Sequence, residues 1–287
     1  MQIFKSRILW AIYIICAALF FFYYLFPSDA IKEYLADRVR LAQPDLTVKI
    51  SRVKPAFPPG LKLYNVSVYY LGQAIAGLDD LKISPDILSL FLTTTHLRFE
   101  GNGYGGILKG RADIIKKSPT RELVMDADLS GIQVNQIETL GVLTTHKISG
   151  NLEGTLAFNS NTPDRVLTGD LILAGGQIEF SPPVLNQNVI TFDSIEAELA
   201  LNSRSLTIDR FELEGNQLEA DVTGSIKFSD PSARKILNLS GTVKPHAALL
   251  ARLGQNVPEL LKGTNLENQG FPFKIKGPMD SPQYSFY

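Results

Sequence analysis

The hydrophobic pattern opens with one unbroken apolar run. Residues 8–26 read ILWAIYIICAALFFFYYLF and contain no charge. A helix of this length is roughly 28 Å long at about 1.5 Å per residue, which is close to the hydrocarbon thickness of a bilayer. Trp10 and Tyr13 lie near one end and Tyr23 and Tyr24 near the other, as is typical of aromatic residues at membrane interfaces. The pattern therefore predicts a transmembrane helix over 8–26.

The flanking residues predict the orientation of this helix. Lys5 and Arg7 lie in the short tail, residues 1–7, that precedes the apolar run. Positive flanks stay in the cytoplasm, so we expect a cytoplasmic tail and a chain that continues on the periplasmic side. The alternative is a signal peptide cleaved after Ala30, because Ser28-Asp29-Ala30 has small residues at a suitable spacing. The long run and its bulky aromatic end favour an uncleaved anchor.

A helical period continues over residues 27–43. Apolar and amphipathic residues recur there three and four positions apart, Ser28 is placed to cap the N-terminus, and Pro44 ends the run. The residues at this spacing are Ile31, Tyr34, Leu35, Arg38 and Val39. We predict an amphipathic juxtamembrane helix from Ala30 to about Leu41.

From residue 44 to residue 287 apolar and polar residues alternate with a period of two. This predicts β-strands that each have one apolar and one polar face. A slip of the alternation at Asn65 indicates a bulge. Short turns between the runs favour antiparallel neighbours. These turns are Gly72-Gln73, Ser160-Asn161, Gly175-Gly176, Asn202-Ser203 and Gly215-Asn216. The predicted fold class is mainly β: one curved antiparallel sheet with an apolar concave face and short helices at 87–91, 132–140 and Ala247–Leu253.

A weak internal repeat lies within this region. Asn151-Leu-Glu-Gly-Thr-Leu-Ala-Phe158 resembles Asp221-Val-Thr-Gly-Ser-Ile-Lys-Phe228, seventy positions later, and each segment places a glycine between alternating apolar residues. Two ordinary strands with the same period would look alike, so both interpretations stay open.

Composition and charge exclude several functional classes. Of the 287 residues, 45% are hydrophobic and 20% are charged, so the chain can bury a core. The formal net charge is −1, and a nucleic-acid-binding protein usually carries a basic surplus. The single cysteine, Cys16, excludes an intramolecular disulfide and a cysteine-based zinc cluster.

Motifs that carry chemistry are nearly absent. Gly101-Asn-Gly-Tyr-Gly-Gly106 matches the G-x-G-x-x-G pattern of dinucleotide-binding proteins. The residues after it continue as a strand and not as a helix, which predicts a hairpin. His96, His146 and His246 lack metal-ligand spacing. Three acidic pairs occur: Asp79-Asp80, Asp126/Asp128 and Glu196/Glu198. Carboxylates two apart on a strand, as in the last two pairs, share one face, and a solvated outer face is the ordinary explanation. We predict no catalytic, metal or cofactor-binding residues and no enzymatic activity.

Two segments carry a family resemblance. The opening comprises Gly60-Leu-Lys-Leu-Tyr-Asn-Val-Ser-Val68, Ala76-Gly-Leu-Asp-Asp-Leu-Lys-Ile83, Pro85-Asp-Ile-Leu88 and His96-Leu-Arg-Phe99, and it resembles AsmA-type periplasmic domains. The ending, Phe271-Pro-Phe-Lys-Ile-Lys-Gly-Pro-Met-Asp-Ser-Pro282, is similar to the close of such domains. With the predicted anchor and a β body, the chain resembles the type II secretion system protein N (GspN) family.

The resemblance implies two functions from different classes. One is a non-enzymatic accessory of the type II secretion system, anchored in the bacterial inner membrane and in contact with other secretion-system subunits. The other is lipid binding or lipid transfer, with a lipid in an AsmA-like apolar groove. The state of the concave face separates them: a face closed by the short helices favours a scaffold, and an open, continuous face favours lipid.

Overall fold

The chain forms one antiparallel sheet. The structure, a computed structural model, describes residues 10, 13–14, 17, 20–21, 23–57, 59–117, 121–143, 146–161, 166–184, 187–228, 235–247, 249 and 270–286. Within these residues, fourteen strands lie side by side in chain order, each hydrogen-bonded to the next. The predicted mainly β class and the antiparallel pairing are confirmed.

Strands β1 to β13 each have eight residues or more, and β14 has four. Their bounds are β1 (Leu46–Ala56), β2 (Gly60–Tyr70), β3 (Gln73–Pro85), β4 (Thr94–Gly103), β5 (Gly106–Lys116), β6 (Arg121–Gln133), β7 (Lys147–Asn159), β8 (Val166–Val184), β9 (Gln187–Leu201), β10 (Ser205–Glu214), β11 (Leu218–Lys227), β12 (Ile236–Pro245), β13 (Phe271–Pro278) and β14 (Gln283–Phe286). Because every connection joins adjacent antiparallel strands, successive turns alternate between the two ends of the sheet.

Two hairpins show why neighbouring runs pair. Leu71 and Gly72 connect β2 to β3 with φ values of 48° and 82°, and Tyr104 and Gly105 connect β4 to β5 with 54° and 75°. Two-residue turns with both φ angles positive match the twist of paired strands. The β2–β3 tip is Leu71-Gly72, one residue before the predicted tip.

The predicted turn at Gly175-Gly176 is wrong. Strand β8 continues through these glycines to Val184. Gln177 pairs with Ser149 and Ala174 pairs with Asn151, so β8 has one more residue than β7 over this stretch. Such a bulge bends the strand, and Gly175 adopts the left-handed φ of 56° that the bend requires. The sequence pattern also missed β14, because four residues are too few to show a period.

The slip at Asn65 is not a bulge in the register. Asn65 has a φ of 49°, yet the pairing of β2 with β1 and β3 stays in step on both sides of it. The buried residues are three apart instead of two: Leu63 and Val66 on β2 face Val53 and Ile50 on β1. The inward/outward alternation therefore shifts by one residue on β1 and on β2 at paired positions. Neither strand has an extra residue there.

The repeat has a structural counterpart. Gly154 and Gly224 have φ values of 145° and 138° in the middle of strands. A Cβ atom on Gly154 would lie 2.1 Å from the carbonyl oxygen of Asp170, and one on Gly224 would lie 2.2 Å from that of Asn238. Both glycines thus share a backbone conformation and a neighbouring carbonyl, which favours a true repeat over two strands that share only a period.

Helix α1 (Ser28–Ala42) confirms the predicted helix over Ala30 to Leu41. Ser28 does not cap it, because the N-cap position is Pro27 and the Ser28 hydroxyl accepts a hydrogen bond from the Val53 N–H at 3.2 Å. Among the described residues after α1, short helical segments include the 3-10 turns Leu88–Phe91 and Val134–Gln136 and the helix α2 (Glu138–Leu143).

Several predictions fall on residues outside the described ones. These are the tail 1–7, much of the apolar run 8–26, and residues 248 and 250–253 of the helix predicted over Ala247–Leu253. Within the part of the chain that the structure describes, no helix is both long enough and apolar enough to cross a membrane.

Candidate functional site

One face of the sheet is apolar across its whole width. The register aligns one residue from each strand into a row that contains no charged side chain. This row is Pro55, Leu61, Ile83, Phe99, Gly110, Ala127, Leu156, Gly169, Leu199, Ile208, Gly224, Leu239, Ile275 and Tyr284. We call the surface that includes this row the apolar face. It is the candidate functional site.

A second row lies beside the first from β4 onward. It runs through Leu97, Ala112, Met125, Phe158, Leu167, Leu201, Leu206, Ile226, Leu237 and Gly277. Since side chains on neighbouring strands are about 5 Å apart, the two rows form one continuous surface. Its continuity follows from period-two strands joined in an order that keeps their apolar positions on the same side.

Glycines shape the apolar face where phenylalanines cross it. A Cβ atom on Gly110 would lie 2.5 Å from Cζ of Phe99 on the adjacent strand, and one on Gly176 would lie 2.5 Å from Cζ of Phe192. Gly241 and Phe273 repeat this pairing at 3.0 Å. The missing glycine side chains let the aromatic rings lie over the neighbouring backbone.

Part of the apolar face is covered within the chain. On β1 and β2, Ile50, Val53, Leu63 and Val66 are buried, and Phe26, Ile31 and Leu35 pack against them from α1 and the residue before Pro27. On β9 and β10, Phe192, Ile195 and Leu213 form a second cluster, with Leu173 packed against it. These two clusters are the cores that the described residues build.

Much of the remaining apolar face is only half-buried, including Leu156, Leu167, Leu199, Ile208 and Leu239. These half-buried side chains are accessible to solvent or to a bound apolar molecule.

The opposite face carries the charges, as the strand period predicts. Arg210 lies among three carboxylates, with Nε 2.9 Å from Glu198, Nη2 3.1 Å from Glu196 and Nη1 3.8 Å from Glu212. Asp80 pairs with Lys62 at 3.2 Å. These carboxylates form ion pairs on an accessible surface, which supports the structural interpretation of the Glu196/Glu198 pair and of Asp80.

The three histidines remain apart. His96 Nδ1 lies 2.7 Å from an Asp113 oxygen, and His246 Nε2 lies 3.2 Å from a Glu219 oxygen. His146 Nδ1 accepts a hydrogen bond from the Ser181 N–H at 3.2 Å. No group of three or more His, Cys, Asp or Glu residues that could hold a metal ion occurs among the described residues.

The glycine-rich motif is a hairpin. Gly103 pairs with Gly106 across the turn, and β5 follows at once. The predicted strand is confirmed, and the helix start that would face a pyrophosphate is replaced by a β-turn.

Comparison of the chain with protein-family models, with curated proteins and with solved structures finds no match.

Proposed function

We propose that this chain is a non-enzymatic, membrane-anchored envelope protein that binds the acyl chains of lipids on its apolar face. The observation that carries the proposal is the row of uncharged residues that crosses all fourteen strands. At about 4.8 Å between strands the row is about 60 Å long. An apolar surface of this length is unfavourable in water at about 25 cal/mol per Å², and acyl chains would cover it without any specific polar contact.

The proposed anchor is the apolar run 8–26. Its described residues include Trp10, Tyr13, Phe20 and Tyr24. Their backbones are helical, and the residues are 64%, 66%, 65% and 78% exposed. Exposed aromatic side chains on a helix need an apolar environment, which a bilayer supplies. We place residues 1–7 in the cytoplasm and the body in the periplasm of a bacterium.

The lipid proposal is tested by a substitution that changes the apolar face alone. Leu199 points to the apolar face, while the next residue, Ala200, is paired with Thr168 and Thr207 on the charged side. We expect native mass spectrometry of the solubilised full chain to show bound phospholipid for the wild type and for Ala200→Asp, and its loss for Leu199→Asp.

The two variants share one anchor, so lipid held by residues 8–26 cancels in the comparison. Equal lipid content in both variants would contradict the proposal. Leu173→Asp is a further variant for comparison with Leu199→Asp, because Leu173 packs against the Phe192 cluster. We expect that variant to lower the melting midpoint as well, since it places a carboxylate beside a closed core.

The second candidate function is an accessory role in the type II secretion system. Its support is the resemblance of two segments. The opening lies on β2 to β4, and the ending lies on β13 and the residues after it. In this role other secretion-system subunits would cover the apolar face. Genes for a secretion ATPase and pseudopilins beside this one, and reduced export after its deletion, would support it. Normal export after deletion would leave lipid binding as the better proposal.

A further inference from the structure

The turns at one end of the sheet carry large exposed apolar side chains. Phe57 in the β1–β2 turn is 90% exposed, and Leu88 and Phe91 between β3 and β4 are 77% and 85% exposed. The residues beside them, Ile87, Leu90 and Leu92, are exposed by 49%, 44% and 60%. We call Phe57 together with Ile87–Leu92 the apolar tip. Contiguous apolar groups in water mark a surface that binds an apolar partner.

The apolar tip lies at the end of the sheet where the N-terminal segment leaves the body. The Ser28 hydroxyl accepts a hydrogen bond from the N–H of Val53, which is three residues before the end of β1 at Ala56. Phe26 packs against the same buried cluster as Val53. Helix α1 therefore begins beside the end of β1 that leads into Phe57, and the apolar run precedes it at that end.

Lysines are bonded to the backbone of the apolar tip. Lys82 Nζ donates to the Phe57 carbonyl oxygen at 3.0 Å. Lys116 Nζ donates to the carbonyl oxygens of Leu90 and Leu92 at 3.2 and 3.3 Å. The carboxylate of Asp86 accepts a hydrogen bond from the Leu88 N–H at 3.1 Å and so serves the turn. The side chains of the apolar tip suit the acyl layer of a membrane surface. The lysine ammonium groups behind them suit its anionic headgroup layer.

We propose that the apolar tip inserts into the periplasmic surface of the membrane that holds residues 8–26. The inference rests on the proposed anchor and adds a second, independent contact with the bilayer. It orients the sheet with its Phe57 end on the membrane. The β1–β2 and β3–β4 turns then lie next to the bilayer.

The test uses tryptophan fluorescence in vesicles that contain phosphatidylcholine, phosphatidylglycerol and lipids with a quenching nitroxide on the acyl chain. Trp10 is the only tryptophan, so it is replaced by Phe, and a new one is introduced as Phe91→Trp in the full chain. The matched control is Leu71→Trp, because Leu71 is 61% exposed in the turn at the opposite end of β2. We expect blue-shifted, quenched emission at position 91 and unquenched emission at position 71.

Wild-type Trp10 reports separately on the anchor. Quenching of Trp10 with equal, weak quenching at positions 91 and 71 would overturn the tip proposal and leave the anchor intact. If Trp10 is not quenched, the proposed anchor fails instead, and quenching at position 91 alone would still support insertion of the tip. Lys82→Glu with Lys116→Glu should reduce the quenching at position 91, since both changes put negative charge at the headgroup layer.

Discussion

At the scale of single residues, glycines do more to shape this sheet than any charged group. Gly154 and Gly224 adopt a positive φ in mid-strand that L side chains rarely reach. Gly110 and Gly176 make room for aromatic rings from the adjacent strands. Each of these positions is on or beside the apolar face, so the absence of a side chain sets the shape of that face.

We expect Gly154→Ala and Gly224→Ala each to destabilise the body by about 1–3 kcal/mol or more, because a Cβ atom adds backbone strain and a clash with a carbonyl oxygen. Gly77→Ala is the control: its φ is not positive, and its nearest neighbour is the movable Tyr104 hydroxyl at 3.3 Å. Urea unfolding of the detergent-solubilised chain measures the difference. Equal midpoints for Gly154→Ala and Gly77→Ala would contradict the proposed strain.

Which residues face inward could be predicted from the period alone. Leu173 and Leu199 lie on the apolar face and Glu196, Glu198 and Glu212 on the other, because alternation ties each side chain to a face. The exposure of Phe57 and Leu88 could not be predicted. Both are apolar residue types, which predict burial. Their exposure depends on the position of their turns at the end of the sheet, which the sequence pattern does not give.

At the scale of elements, α1 is the described helix that lies against a buried part of the apolar face. Its contact residues Ile31 and Leu35 recur at helical spacing, and they meet strands β1 and β2 across the chain reversal at Gln43–Asp45. The helix therefore closes the first strands of the sheet and couples them to the N-terminal segment.

We expect Leu35→Ala to destabilise the body by about 1–3 kcal/mol, because the substitution removes a partly buried side chain from the first cluster. Leu41→Ala on the same helix should have little effect, since Leu41 is 77% exposed. Thermal unfolding followed by circular dichroism compares the two. A lower midpoint for Leu41→Ala than for Leu35→Ala would mean that α1 uses its other side.

The elements also show where sequence patterns reach their limit. Two-residue turns at Tyr104-Gly105 and strands such as β10 follow directly from local composition. The glycine pair at 175 and 176 has the composition of a turn, yet it is a bulge, because the paired strands on both sides continue. Whether a glycine turns the chain or bends a strand depends on partners far away in the sequence.

At the scale of the whole molecule, the register determines whether separate apolar positions become a site. Each strand supplies inward residues, and only the order β1 to β14 joins them into a continuous row. Hairpin lengths and bulges set that register, so the sequence could predict an apolar face but not its continuity.

The proposed topology is tested with an enzyme that works only in the periplasm. Alkaline phosphatase fused after Tyr287 should be active, because a single anchor over 8–26 with Lys5 and Arg7 before it would place the body outside the cytoplasm. N-terminal sequencing serves as the control for cleavage: a mature chain that begins at Ile31 would show that the segment is removed. An inactive fusion in a stable protein would contradict the topology.

The most direct test of lipid binding on the apolar face is photo-crosslinking in living cells that have been grown with radiolabelled phosphate. A photoreactive phenylalanine replaces Phe158, which points to the apolar face, or Ala157, the adjacent residue on the exposed charged side. We expect ultraviolet light to attach labelled phospholipid to the chain at position 158 and not at position 157. Absence of label at position 158, or equal label at both positions, would contradict a lipid-binding face.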